Sequence, residues 1–69
     1  MRQRQKDVLE FIIKFKQVNG FSPTIKEIAR GINTKSIYHV QTMLEELSEM
    51  GFIKYQQGKQ RTIVVLKFE

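Results

Sequence analysis

The chain predicts a mainly α fold, three helices followed by a small β-hairpin, and three features carry that prediction. An apolar stripe of Ile37, Val40, Leu44 and Leu47 recurs at helical spacing. Upstream of it, Thr24-Ile25-Lys26-Glu27 has the spacing of a capping box, and Gly31-Ile32-Asn33 leaves room only for a tight turn. Downstream of Gly51, two runs rich in β-branched and aromatic residues flank residues 57–61.

A first helix is expected over residues 5–18, with Val8, Leu9, Ile12 and Phe15 inward and Phe11 and Val18 widening that face. Glu10 precedes Lys14 by four residues, the favourable order for a helical ion pair. Asn19-Gly20 ends this helix, and Phe21-Ser22-Pro23 is an extended link, because the residue before proline is pushed out of the helical region. The Thr24 hydroxyl then caps a short second helix reaching about Arg30, while Glu27 reaches back to the Thr24 N–H. Ile25, Ile28 and Ala29 face inward there, and the small Ala29 lets another helix cross closely. Gly31 and Asn33 are both able to take positive φ in the turn. Thr34 or Ser36 caps the third helix, and Gly51 stops it. Two helices joined by so tight a turn make a helix-turn-helix. Strands over residues 52–56 and 62–68 append a hairpin to it, giving a three-helix winged helix-turn-helix, one domain over residues 1–69.

A chain of 69 residues without cysteine has neither disulfides nor thiolate metal sites to staple it, so packing alone must hold the core. No apolar run approaches a membrane span or a secretory signal, and a cytoplasmic protein without a membrane partner is expected. The net charge is +5, with a sequence pI of about 9.8, the electrostatic footprint of a nucleic-acid binder. The distribution is sharper than the sum. Off the apolar stripe, the first half of the third helix carries Lys35, Ser36, Tyr38, His39, Gln41 and Thr42, whereas its second half carries Glu45, Glu46 and Glu49. Only the first half suits phosphate, and it coincides with the positive end of the helix dipole. That is the layout of a helix entering a groove of double-stranded DNA with its first two turns. Arg4, Thr24, Lys35, Lys59 and Arg61 are the candidate phosphate contacts, the last two on the basic tip of the wing.

One histidine, no cysteine and no carboxylate pair away from a helix flank leave nothing to assemble into a catalytic site, a metal site or a cofactor site. The competing function is a winged helix used for protein–protein contact, with Tyr38, Phe52 and the acid cluster as its docking surface.

The elements, once placed, resemble the amino-terminal DNA-binding domain of the LexA repressor family. The matching residues are Arg4-Gln5, Val8-Leu9, Gly20, Pro23-Thr24, Glu27-Ile28-Ala29, Ser36, Leu44, Leu47, Gly51, Ile53, Gly58, Arg61, Ile63 and Leu66, without a gap between Arg4 and Leu66. The resemblance implies a duplex-binding winged helix that represses transcription, with Ser36, Tyr38, His39, Gln41 and Thr42 facing the base edges. Asn33 stands where the family often has glycine, and Ile37 where it often has proline. The base-facing residues differ in type from those of well-known members, so the family's operator does not carry over. The family's self-cleaving serine protease and dimerisation domain has no counterpart in these 69 residues. A free monomer that pairs with a second copy on inverted half-sites is expected.

Overall fold

Helices form where apolar spacing and caps coincide. In the computed structural model, which describes residues 1–67, the order is α1 (Gln3–Asn19), α2 (Ile25–Gly31), α3 (Ile37–Glu49), β1 (Ile53–Lys54) and β2 (Val64–Val65). The helix-turn-helix is α2 and α3, and the strands pair antiparallel with Ile53 opposite Val65 and Lys54 opposite Val64. One core cluster joins Val8, Leu9 and Ile12 of α1, Ile28 and Ala29 of α2, Val40, Met43, Leu44 and Leu47 of α3, and Phe52, Ile53 and Ile63 of the hairpin. None of the helices among the described residues is long and apolar enough to cross a membrane.

α1 begins earlier than the apolar pattern implies because Gln5 caps it: its Oε1 accepts from the Arg2 N–H at 2.9 Å. The same amide is buried, and its Nε2 donates to Glu46 Oε1 of α3 at 2.7 Å. The inward face of α1 therefore runs through Gln5, Val8, Leu9 and Ile12. Lys16 continues that face, its Nζ donating to the Ile63 carbonyl at 3.2 Å. Val18 lies roughly 130° off this line at the helical pitch and is 83% exposed, so it does not widen the core as expected. Phe11 and Phe15 are half-buried at the rim, and Phe15 stacks edge-on with Phe21. The expected Glu10–Lys14 pair is absent; among the described residues the ion pairs are Arg4–Asp7 at 3.8 Å and Arg61–Glu27 at 3.0 Å.

The capping box of α2 is present in both directions, with Thr24 Oγ1 accepting from the Glu27 N–H at 3.1 Å and Glu27 Oε1 from the Thr24 N–H at 2.8 Å. In the turn, Asn33 takes φ 62°, as expected, whereas Gly31 stays helical as the last residue of α2. Its glycine answers a different need. A Cβ there would run into the Phe11 ring, so a side chain at this position requires that ring to move. Of the two candidate caps for α3, Ser36 is the one used: its Oγ accepts from the His39 N–H at 3.0 Å, and Thr34 Oγ1 accepts from the Ser36 N–H. Met43 joins the α3 stripe inside the core, and Ile37 lies at its edge, part exposed. Gly51, with φ 84°, ends the helix as expected.

The strands are far shorter than the β-rich runs implied, two residues each, and Phe68 of the expected second strand lies outside the described residues. The backbone of Ile63 explains the difference. Its N–H donates to Ser22 Oγ at 3.3 Å and its carbonyl accepts from Lys16, so both groups are satisfied by the helical body and not by β1. One step closer to the tip, Thr62 Oγ1 accepts from the Gln56 N–H at 2.9 Å, a side-chain bond in place of a ladder bond.

Candidate nucleic-acid interface

The outer surface of α3 divides as its sequence does. Tyr38, 77% exposed, shares its ridge with Thr42 and Glu45 at three- and four-residue steps. The Thr42 hydroxyl donates to the Tyr38 carbonyl at 3.0 Å, so toward a ligand it offers an acceptor lone pair. His39 and Gln41 are exposed on opposite flanks of that ridge. Ser36 and Lys35 precede the first turn, both exposed, with the Ser36 hydroxyl engaged as the cap. His39 belongs to no group of three or more potential metal ligands among the described residues. The acids occupy the other end of the helix. Glu46 is tied to Gln5, and Tyr55 of the hairpin has its phenol pushed above the ordinary value by burial and by the nearby Glu45 charge.

A cleft of about 290 Å³ separates this helix from the wing, walled by the start of α2, by Ile37, Gln41 and Leu44 of α3, and by residues 55–63. It brings together Thr24, Gln41, Lys59 and Arg61 of the candidate residues. Arg4 is elsewhere: it lines a hollow beside the turn with Asn33, where its Nη1 donates to the Ile32 carbonyl at 2.9 Å and lies 3.8 Å from Asp7. Tyr38, His39 and Thr42 stand outside the cleft. Sequence reasoning missed Lys26 and the amides Gln56, Gln57 and Gln60, all of which line it. The glutamine-rich loop around Gly58 was the available signal, since side-chain amides both donate and accept.

Arg61, the second candidate contact on the wing, is part exposed, and its guanidinium is engaged with the start of α2. Nη1 donates to Glu27 Oε1 and to the Ser22 carbonyl, each at 3.0 Å, Nη2 donates to Glu27 Oε2 at 3.2 Å, and the group stacks 4.7 Å above the Phe21 ring. Phe52, assigned to the alternative docking surface, is buried in the core.

The Arg61 hydrogen bonds, followed by that of the Thr24 N–H, hold the Glu27 carboxyl below its ordinary value of 4.5. A folded value below the unfolded one stabilises the fold fully above the unfolded value, and the stabilisation is lost as pH falls through the folded value. Between neutral pH and about pH 3, the melting temperature should therefore fall more steeply for the unaltered chain than for Glu27→Gln. Circular dichroism melts at stepped pH measure this, and parallel acid limbs would show that the pair adds nothing to stability.

Residues 1–62 match the family described as the LexA DNA binding domain. Among similar proteins, the LexA repressor of Syntrophomonas wolfei is 36% identical over 97% of this chain and 33% of its own length. LexA repressor 2 of Geobacter sulfurreducens is 35% identical over 94% of this chain and 32% of its own. The LexA repressor of Myxococcus xanthus is 31% identical over 97% of this chain and 30% of its own. The chain thus spans about a third of the length of the relatives it matches.

Proposed function

Because the chain belongs to the LexA DNA-binding domain family, we propose that it binds double-stranded DNA sequence-specifically and represses transcription, reading the major groove with α3 and gripping phosphate with the wing. The observation that carries this reading is the exposed, acid-free first half of α3, with Lys35 before its first turn and Lys59 facing it across the cleft. Base edges fall to Ser36, Tyr38, His39, Gln41 and Thr42. Gln41 suits adenine in two-pronged fashion, His39 donates to guanine, Ser36 donates or accepts, and Tyr38 offers its ring to a thymine methyl. Arg4, Thr24, Lys35 and Lys59 hold phosphates. The protein-docking alternative loses Phe52 to the core, and the family assignment does not favour it.

A single small module buries about 600–1,000 Å² on DNA, so two copies side by side on inverted half-sites belong to the same reading, each raising the effective concentration of the other. Selection of bound sites from a random duplex pool should return an inverted repeat. With the Arg61 guanidinium paired to Glu27, the cations Arg4, Lys35 and Lys59 neutralise about three phosphates per copy, which gives a log–log salt slope of about −3 on a single half-site. A slope near zero, or recovery of no preferred sequence, would remove sequence-specific DNA recognition.

A further inference from the structure

A long-range polar junction ties the wing to the start of α2. Arg61 meets Glu27 fork to fork, donates to the Ser22 carbonyl and covers the Phe21 ring, and it does so from a left-handed backbone conformation, φ 57°. A non-glycine residue adopts that conformation at some cost, and here the surrounding contacts hold it there. Glu27 is engaged on both sides: the oxygen that accepts from Arg61 Nη1 also accepts from the Thr24 N–H. The hairpin needs such an anchor, because its ladder is only two residue pairs long and Lys59 lies well beyond it.

We infer that Arg61 is a positioning residue for DNA binding: through Glu27 it fixes the wing against the helix-turn-helix so that Lys59 meets phosphate while α3 is seated in the groove, and it is not itself a phosphate ligand. The inference rests on the DNA-binding reading. Two physical points support it. Turning Arg61 toward phosphate would leave the Glu27 carboxylate unpaired beside a second anion and the Ser22 carbonyl without its donor. A wing already held in place loses less side-chain and loop freedom on binding, which favours the complex.

The test turns on Glu27→Gln, since glutamine at this position still completes a capping box while the ion pair is lost. If Arg61 acts through Glu27, Glu27→Gln binds the selected duplex more weakly, the salt slope falls by about one, and adding Lys59→Ala changes little more. If Arg61 were a phosphate ligand, the same substitution would free it and remove a nearby negative charge. Affinity would then rise and the slope steepen, which would overturn the inference and leave DNA binding standing. Arg61→Lys separates the roles again: a point charge serves phosphate but cannot reproduce the fork, so weakened binding is expected and unchanged binding counts against positioning. Without DNA, amide exchange at Gln56, Lys59 and Ile63, the wing N–H groups that have acceptors, should be faster in Glu27→Gln than in the unaltered chain, with the exchange of α1 unchanged. Equal wing protection would overturn the inference. If the unaltered chain binds no duplex, the DNA reading fails and this inference with it.

Discussion

Leu47→Ala is expected to destabilise the domain by about 2–5 kcal/mol. Leu47 is fully buried in the cluster that α1, α3 and the hairpin share, and its carbonyl accepts from the Phe52 N–H at 2.9 Å where the chain leaves α3. Truncation removes apolar contact with several elements at once and leaves a cavity that well-packed neighbours close only in part. A domain this small sits near the lower end of the usual range, about 5 kcal/mol, so the variant should be largely unfolded well below the melting temperature of the unaltered chain. Thermal and urea unfolding followed by circular dichroism measure the loss. An unchanged midpoint would mean that the α3 stripe does not carry the core.

The second large effect separates reading from holding. Gln41→Ala or His39→Ala should lower affinity for the selected site by about 1–3 kcal/mol and flatten preference at one or two base pairs. Both side chains are exposed and neither has a hydrogen-bond partner among the described residues, so truncation should leave the free fold intact. Lys59→Ala should weaken matched and scrambled duplexes alike and lower the salt slope by about one. Titrations of each variant on both duplexes give the comparison. Sequence preference that moved with Lys59 alone would reverse the assignment of roles.

The amino-acid order made the local devices legible. The Thr24–Glu27 box, Asn33 in the turn, the Ser36 cap and Gly51 at the end of α3 each depend on residues within a few positions of one another, and all are present. What escaped depends on distance along the chain. Glu27 and Arg61 are 34 residues apart, and a pattern that explained Glu27 by its cap gave no reason to seek a second partner. The inward place of Gln5 is not marked by periodicity, which tracks apolar atoms, yet its amide is buried between Arg2 and Glu46. Val18 reads as core because spacing reports a helical face but not where the neighbouring elements stop. Gly31 reads as a turn residue because glycine is free to take positive φ, whereas in the fold it is helical and faces the Phe11 ring, which no local rule exposes. At the candidate site, α3 showed its division into polar and acidic halves directly, because that division lies along one helix. The pairing of Arg61 with Glu27 depended on the fold.

The docking of Ile63 on the helical body has a kinetic consequence. Its backbone partners, Ser22 and Lys16, lie 41 and 47 residues away, so those bonds close large loops and acquire their strength only after α1 and the 21–22 link are in place. The helices, by contrast, grow from contacts between near neighbours. The hairpin is accordingly expected to dock onto helices that have already formed, so that changes confined to it act mainly on the rate of unfolding, which folding and unfolding rates of a hairpin variant across denaturant measure.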